Sequence, residues 1–524
     1  MKKILTIILY CICAITLQAQ SQQDLQKGYE KFGRLLYYIN SHYVDTAQIH
    51  KLVEKAVVNT LRNLDPHSVY LNADDVKAAN EPLEGNFEGI GVEFNILLDT
   101  LTVVTPIAGG PSEMVGIKAG DRIVAVDGKN IAGIGLRNND VFKLLRGPKG
   151  TIVDMEIMRK GVEELLQFRV IRDKIPIFSL DAFYEVEPGL IYLRLSRFSM
   201  TTIQEIKEAL AKFKKKPAKM ILDLRDNAGG VLQASIDLAN QFFDKGCLLV
   251  YNEGVHWPKT MEISTDEGFF KEGELVVLVD EGSASASEIV AGAIQDWDRG
   301  ILVGRRTFGK GLVQQLLPLT DGSQIRLTVA RYHTPTGRAI QRPYDAGHIE
   351  KYYDDLYKRY SNGEIYSKDS IHFPDSLKYY TLKDKRLVYG GGGIMPDVFM
   401  PLDTTYYSVY YSRLVRMGLL YQFVLRYMDE NRAALQAKYQ KFANFDRKYE
   451  VDEALFEELL NYAESHKLPR NNDDITISAP QIKLVLKAYI ARALWGMSAY
   501  FETVNKHDRE FQKAVELLRA PKRN

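Results

Sequence analysis

The feature that most limits the fold of this chain is an alternation of short apolar runs with amphipathic stretches that begins near residue 189. Such alternation is typical of strands and helices that form a layered, largely parallel β-sheet. The sequence therefore predicts an α/β core over residues 175–403. The apolar runs are LIYLRL, KMILDL, ELVVLV and GILVGR, and the helical stretches are TTIQEIKEALAKFKKK, VLQASIDLANQFF and SEIVAGAIQDW.

The chain has 524 residues, too many for one core, so several domains are expected. Residues 20–84 have helical periodicity, and residues 404–524 are helical again. Residues 85–174 instead contain short β-rich runs between glycine and aspartate turns, with one helix near 138–146. Residues 343–388 are polar and tyrosine-rich, which predicts a surface insertion in the core.

The first twenty residues, MKKILTIILYCICAITLQAQ, have the pattern of a secretory signal peptide, with two lysines before an apolar stretch. We expect cleavage after Ala19, which assigns residues 1–19 to the signal and leaves no stable membrane span. A lipid anchor on Cys11 or Cys13 is the alternative. The periplasm is the expected compartment, with secretion or membrane association as alternatives.

The composition of the chain argues against several kinds of binding partner and bound group. The formal net charge is +1, which does not favour nucleic acid as a partner. After signal cleavage only Cys247 remains, so no internal disulfide is expected. The nine histidines show no HExxH or paired-histidine spacing, and we predict neither a metal nor a cofactor.

The stretch DEGSASASEIVAGA (residues 280–293) has serine at every second position and follows an apolar run. Ser285 has Glu288 three residues later, the spacing of a capping box, so Ser285 is predicted to begin the helix. A side chain at such a strand–turn–helix junction lies at the carboxyl edge of the sheet, where clefts form. The N–H of Ala286 is then free to face an oxyanion. From this stretch alone, Ser285 is either a nucleophile or an ordinary capping serine.

The stretch RRTFGKGLVQQLLPL places Lys310 between two glycines, where side-chain crowding is low. Lys310 and Gln314 share one face of the predicted strand, an unusual pair for an apolar core. A buried lysine acts as a general base when its pKa falls toward neutrality, and Gln314 can hold the neutral amine. The alternative from these residues is a surface lysine at a strand end.

The stretch ILDLRDNAGGVL ends a buried run and places Gly229 and Gly230 before a helix. Two glycines there expose backbone N–H groups to a developing negative charge. A tight turn and a phosphate site are the alternatives, although the Lys-Ser/Thr pair of a P-loop is missing.

Together these stretches resemble the carboxyl-terminal processing proteases, or tail-specific proteases, which are serine endopeptidases with a Ser–Lys dyad and an inserted PDZ domain. The matching segments run in family order from about residue 60 to residue 400. They are LDPHSVYL (64–71), GIGVEF (89–94), GIKAGDRIVAVDG (116–128), LLRGPKGT (144–151), DLRDNAGG (223–230), GSASASEIVAGA (282–293), TFGKGLVQ (307–314), TPTGRAIQ (334–341) and YGGGGIMPD (389–397).

The resemblance implies that Ser285 is the nucleophile and Lys310 the base, with Gln314 assisting. It implies an oxyanion hole made by the N–H of Ala286 and that of Gly229 or Gly230. The implied fold is a crotonase-like α/β core with an inserted PDZ-like domain and helical regions at both ends.

The resemblance also implies how a substrate is recognised. The partners implied are proteins or peptides with free carboxyl termini, which would add as a strand beside the PDZ-like module. Its GIGV loop would offer N–H groups to the substrate carboxylate from Gly89, Ile90, Gly91 and Val92.

The chain departs from the family pattern at two positions. Ala228 and Arg306 stand where the family usually has proline. Neither change removes a reacting group. A PDZ scaffold that has lost catalysis is the first rival interpretation, but the presence of both Ser285 and Lys310 counts against it. A crotonase-like enzyme acting on acyl-CoA is the second, and the export signal counts against that.

Arg146, in LLRGPKG, ends the predicted helix of the PDZ-like module. A guanidinium there can bridge two domains, so Arg146 is a candidate regulatory residue that gates the cleft. The alternative is a solvated charge at a helix end. The helical regions at both ends are candidate contacts for a homo-oligomer.

Overall fold

The structure is a computed structural model that describes residues 2–97, 99–213 and 215–520. Side chains within the predicted signal peptide lie outside this description, so that assignment stays a prediction. In the described part of the chain, no helix combines the length and apolar character that a membrane crossing requires.

The N-terminal region is helical, as predicted. Its last helix begins where the Asn72 side chain accepts the N–H of Asp75 (2.9 Å) and ends at Gly85, whose φ of 77° allows the chain to turn. The elements are α1 (Lys2–His42), α2 (Ile49–Arg62), β1 (Val69–Leu71) and α3 (Ala73–Glu84).

The β-rich module that follows contains one main sheet with the order β3-β4-β5-β7-β8, in which β3 is an edge strand. The chain enters and leaves the module through a two-stranded ribbon, β2 with β9. Helix α5 forms where the sequence predicted a helix. The elements are β2 (Asn86–Gly89), β3 (Val92–Leu97), β4 (Thr100–Pro106), α4 (Pro111–Met114), β5 (Arg122–Val126), β6 (Lys129–Asn130), α5 (Asn138–Leu145), β7 (Ile152–Met158), β8 (Leu166–Ile171) and β9 (Asp173–Pro176).

The predicted α/β core contains two sheets. The first has the order β10-β11-β12-β15-β16-β21, parallel from β11 onward, and the second joins β1, β18, β13 and β14, with β17 paired to β18. The strands are β10 (Leu180–Glu187), β11 (Leu190–Leu195), β12 (Lys219–Asp223), β13 (Leu248–Gly254), β14 (Trp257–Ile263), β15 (Glu274–Val279), β16 (Ile301–Gly304), β17 (Leu312–Pro318), β18 (Gln324–His333), β19 (Lys378–Tyr380), β20 (Leu387–Tyr389) and β21 (Val398–Phe399).

Helices cover both faces of the first sheet, which explains why its central parallel strands are mostly apolar. One face packs on α6 (Thr202–Leu210), α7 (Leu232–Asn240) and α8 (Ala286–Asp296). The opposite face packs on the last helix, through Phe511 and Leu518 among others.

The stretch 343–388 is more than a surface insertion. It contains α9 (Ile349–Ser361), two short 3₁₀ helices and the ribbon of β19 and β20. Arg359 is buried and donates to the carbonyl of Thr307 (2.8 Å), so the insertion packs on the loop that precedes Lys310.

The C-terminal region is helical, as predicted, and has its own apolar core. Its helices are α10 (Val409–Arg416), α11 (Leu419–Lys438), α12 (Phe442–Lys448), α13 (Glu453–Ser465), α14 (Asn472–Trp495), α15 (Met497–Asn505) and α16 (Arg509–Arg519).

Candidate active site

The three alternating serines have different environments. Ser283 is fully buried and its hydroxyl donates to the Leu224 carbonyl (2.8 Å). Ser287 is also fully buried, with its hydroxyl donating to the Asn227 carbonyl (2.8 Å). Ser285 is half-buried at the start of α8, as the capping pattern predicted. Of the three, only the hydroxyl of Ser285 is partly open to a substrate.

The backbone of Ser285 is strained. Its φ is 55° and its ψ is −111°, a conformation that L residues with a side chain rarely adopt. Strain of this kind costs about 1–3 kcal/mol and concentrates at functional sites. Here it presents the side chain at the sharp turn between β15 and α8, as in other enzymes whose nucleophile lies on a strand-to-helix turn.

Lys310 lies in the loop between β16 and β17. Burial and, secondarily, the positive charge of Arg326 lower the pKa of Lys310 to about 8, against the opposing effects of Asp65 and Glu288. The ammonium donates to Gln314 Oε1 (3.0 Å), the pairing expected from their shared face. A lysine with this pKa releases its proton near neutral pH, which a general base requires.

Between the described side chains of Ser285 and Lys310 there is no hydrogen bond. Catalytic hydrogen bonds are often long in the absence of substrate and tighten when it binds. Because Ser285 and Lys310 lie on two different loops, other residues of the site must maintain the relative position of these loops.

The N-terminal region also contributes to the site, which local sequence patterns did not predict. The Gln314 amide donates to the His67 carbonyl, which orients the Gln314 oxygen toward Lys310. The His67 ring contacts the Tyr352 hydroxyl (2.9 Å), and burial lowers the pKa of His67 to about 4, so the ring is neutral at neutral pH. Asp65 holds this turn by accepting the N–H groups of His67 and Ser68 (both 2.8 Å).

The glycine loop lies against Ser285. A Cβ on Gly229 would lie 2.9 Å from the Ser285 Cβ and 3.0 Å from the Ala286 nitrogen. The N–H of Gly229 donates to the Asn227 side chain (2.9 Å). Within the described contacts, the N–H groups of Gly230 and Ala286 have no acceptor. Two unpaired N–H groups beside a serine are the arrangement that stabilises an oxyanion.

The GIGV segment forms a loop that enters the edge strand β3. The Ile90 carbonyl is held by the Ser112 N–H (3.0 Å) and hydroxyl (2.7 Å), whereas the N–H groups of Ile90 and Gly91 donate to no described residue. Gly89 and Val92 lie at the ends of β2 and β3. The segment thus presents free N–H groups next to a strand edge that can accept a further strand.

Arg146 lies where the PDZ-like module meets α3. Its guanidinium donates to Glu81 (2.5 Å) and lies over the rings of Phe87 (4.7 Å) and Phe142 (4.8 Å). It therefore contacts an element outside the β3–β8 sheet, rather than solvent alone.

Arg306, one of the two departures from the family pattern, has a structural role. Its guanidinium forms a bidentate pair with Glu364 (2.5 and 2.6 Å) and donates to the Gly392 carbonyl (2.8 Å). Glu364 belongs to the insertion, so Arg306 attaches the insertion to the loop that carries Lys310. Ala228, the other departure, is exposed.

Sequence profiles match three parts of the chain. Peptidase family S41 matches residues 189–350, the PDZ domain matches residues 102–159, and a family of unknown function matches residues 410–496.

Individual proteins also match. The chain is 36% identical over 336 residues to a carboxy-terminal-processing protease of Bartonella bacilliformis, covering 63% of this chain and 76% of that protein. It is 34% identical over 333 residues to the carboxy-terminal processing protease CtpB of Bacillus subtilis, covering 63% of this chain and 69% of that protein. A solved structure of a photosystem II D1 C-terminal processing protease is 27% identical, covering 71% of this chain and 93% of that chain, with a TM-score of 0.36.

Proposed function

The chain belongs to the carboxyl-terminal processing proteases, serine peptidases of family S41 with a PDZ domain, and from this we propose that it is an exported endopeptidase that uses a Ser–Lys dyad. Its substrates are proteins or peptides with free carboxyl termini. The α/β core is crotonase-like in this proposal. Export rests on the signal-like residues 1–19, and the relatives named above are bacterial.

One observation carries the proposal. A lysine whose pKa is lowered to about 8 is held by a glutamine, and it lies on the loop that follows the strand next to the strained serine turn. Surface lysines do not lose their protons near neutral pH, and a capping serine does not need a positive φ. Both features serve a nucleophile that a neutral amine activates.

The reaction proceeds in two halves. The Ser285 hydroxyl attacks the scissile carbonyl while Lys310 takes its proton, and the carbonyl oxygen becomes an oxyanion that the N–H groups of Gly230 and Ala286 stabilise. Lys310 then gives the proton to the departing amine, leaving an acyl group on Ser285. Water, deprotonated by the same lysine, releases the acyl group and restores the enzyme.

Recognition of the carboxyl terminus uses the free N–H groups of Ile90 and Gly91. The substrate carboxylate accepts these hydrogen bonds, which are stronger because the acceptor is charged. The last residues of the substrate extend the sheet beside β3, whose outer edge is unpaired among the described strands.

The test uses the mature protein with an unstructured peptide, the same peptide amidated at its carboxyl terminus, and an acyl-CoA. We expect cleavage of the free-acid peptide, weaker binding of the amidated peptide, and loss of cleavage in Ser285→Ala, Lys310→Ala and Lys310→Arg, because a guanidinium does not deprotonate near neutral pH. Peptide binding without cleavage would favour the scaffold alternative, and turnover of the acyl-CoA alone would favour the crotonase alternative.

A further inference from the structure

Ser285 and Lys310 belong to loops that follow neighbouring parallel strands, β15 and β16. Their side chains share no hydrogen bond in the described structure, so the geometry of the pair depends on how the two loop backbones are held together. Two buried side chains outside the reacting set, Glu288 and Tyr332, each contact both loops.

The Glu288 carboxylate lies between the two loops and is fully buried. Its Oε2 accepts the N–H of Ser285 and the N–H of Lys310, both at 2.8 Å. Its Oε1 accepts the N–H of Gly309 (2.7 Å) and the hydroxyl of Thr307 (2.5 Å). One carboxylate oxygen thus joins the backbone of the serine directly to the backbone of the lysine.

The Tyr332 hydroxyl makes the matching connection on the carbonyl side. Its single proton lies between two acceptors, the Ser285 carbonyl (3.0 Å) and the Lys310 carbonyl, which share it. Tyr332 lies on β18 and is buried, with its ring in the core beneath the site. The peptide units on both sides of Ser285 and of Lys310 are therefore bound, on the N–H side by Glu288 and on the C=O side by Tyr332.

This arrangement exceeds what helix capping requires. A capping box involves only Ser285 and Glu288, with the side chain of each paired to the backbone N–H of the other. The bonds to Lys310, Gly309 and Thr307 instead connect α8 to the loop of the base. A buried carboxylate is destabilising unless hydrogen-bond donors compensate for the loss of water, and here four donors do so. Burial nevertheless raises the pKa of Glu288, against the effect of these hydrogen bonds.

We propose that Glu288 and Tyr332 are positioning residues that clamp the Ser285 and Lys310 backbones together and so set the distance between nucleophile and base. The inference rests on the proposed function, since it assigns Glu288 and Tyr332 a role only if Ser285 and Lys310 react. The strained φ of Ser285 is maintained by the same two contacts.

The experiment compares Glu288→Gln and Tyr332→Phe with wild type in the full chain. Glutamine keeps the shape of Glu288 but replaces one carboxylate oxygen, which accepts two hydrogen bonds, with an NH₂ group that can only donate. Phenylalanine removes only the hydroxyl of Tyr332. A misplacement of about 1 Å can cost about 100-fold in rate, so we expect kcat to fall by about 100-fold in Glu288→Gln and at least about tenfold in Tyr332→Phe, with little change in KM.

Tyr184→Phe is the matched control. The Tyr184 hydroxyl accepts a hydrogen bond from Asn505 (2.7 Å) and bonds to neither reacting loop in the described structure, so its loss should lower stability without changing kcat. Thermal unfolding of all three variants, measured beside the rates, shows whether the enzyme is folded at the assay temperature.

The pH profile adds a readout that a purely structural role would not move. Lys310 is influenced by the charges of Arg326, Asp65 and Glu288, and the Glu288 charge raises its pKa. Glu288→Gln should therefore lower the plateau of kcat and move the midpoint of its rising limb to lower pH, whereas Tyr332→Phe should lower the plateau and leave that midpoint in place.

Three results would overturn the inference alone. The first is that Glu288→Gln and Tyr332→Phe are both folded and keep kcat within about twofold of wild type. The second is that their kcat falls no more than that of Tyr184→Phe, and the third is that unfolding explains the loss of activity in both variants. If Glu288→Gln does not fold, Tyr332→Phe decides. A wild-type protein that cleaves no peptide would overturn the proposed function itself, and the inference with it.

Discussion

Lys310 owes its lowered pKa chiefly to burial and secondarily to the charge of Arg326. Because only the neutral amine accepts a proton from Ser285, the cleavage rate should rise with pH and level off above a midpoint near 8. Removing the positive charge in Arg326→Gln should raise the pKa of Lys310, so the midpoint should move to higher pH and the rate at pH 7 should fall.

The measurement is kcat/KM of peptide cleavage between about pH 6 and 10, because that ratio reports the free enzyme. Recovery of the Arg326→Gln rate at high pH would separate a pKa effect from structural damage. A midpoint unchanged in Arg326→Gln would show that this arginine does not set the proton affinity of Lys310.

The environments of Ser283 and Ser285 predict that one serine is needed for stability and the other for activity. Ser283→Ala removes a buried hydroxyl that donates to the Leu224 carbonyl and accepts the Asp280 N–H (2.9 Å), so the free energy of unfolding should fall by about 1–3 kcal/mol while cleavage continues. Ser285→Ala should abolish cleavage and leave the free energy of unfolding nearly unchanged. Urea unfolding and cleavage rates, measured on both variants, test this; cleavage lost in Ser283→Ala at full stability would contradict it.

At the scale of single elements, the loop of Gly229 and Gly230 must approach the start of α8 closely. In Gly229→Ala the new Cβ would lie 2.9 Å from the Ala284 carbonyl oxygen and from the Ser285 Cβ, so Ser285 must shift. We expect cleavage to fall by about 100-fold or more, since small misplacements of a nucleophile have effects of this size.

Gly246→Ala is the control for this prediction. Gly246 has a φ of 96°, close to the 99° of Gly229, but nothing lies within 4 Å of its added Cβ. It shares the backbone strain of about 1–2 kcal/mol without the collision. Equal activities in the two variants would mean that strain, not contact with Ser285, explains the loss.

The helices and strands that depend on local sequence patterns could be predicted from the sequence. The core strands and α8 follow from apolar periodicity, and Ser285 as the first residue of α8 follows from the capping spacing to Glu288. The strained φ of Ser285 was not predictable, because one of the contacts proposed to maintain it comes from Tyr332, which is distant from Ser285 in sequence. The bond from the Gly229 N–H to the Asn227 side chain is local but was not predicted either, and it leaves Gly230 as the free N–H of the pair.

At the scale of the molecule, residues far apart in sequence connect the regions to the site. Glu510 on α16 pairs with Arg225 (2.7 Å), next to the glycine loop, and with Arg305, next to the loop of Lys310. Glu93 on β3 accepts from Tyr421 (2.8 Å) and Arg492 (2.6 Å) of the C-terminal region. Sequence patterns did not reveal these contacts or that of His67, because each partner is ordinary in its own local context.

The contact of Arg146 with Glu81 gives the gating hypothesis a specific partner. If the PDZ-like module acts on the core through α3, Arg146→Ala should lower turnover far more than it weakens tail binding. Glu81→Gln should have the same effect, and Arg146→Lys should restore turnover only in part, since lysine lacks the planar guanidinium that stacks on Phe87 and Phe142.

Tail binding is measured by peptide titration on the Ser285→Ala background, and turnover is measured in the active enzyme. Arg169→Ala serves as control, because Arg169 is an exposed arginine of the same module, paired with Asp154 (2.8 Å). Turnover unchanged in Arg146→Ala would leave the module as a tether without a demonstrated switch.

If Ser285 is the nucleophile, it forms an acyl-enzyme with the substrate, and this intermediate can be trapped. Wild-type protein mixed with excess peptide is quenched in acid within the first turnover, and the mass of the intact protein and of its digested fragments is measured. We expect a mass increase that corresponds to the acyl group of the amino-terminal product, located on Ser285, and no increase in Ser285→Ala or Lys310→Ala. Cleavage that persists in Ser285→Ala, or an acyl group located on another residue, would contradict it.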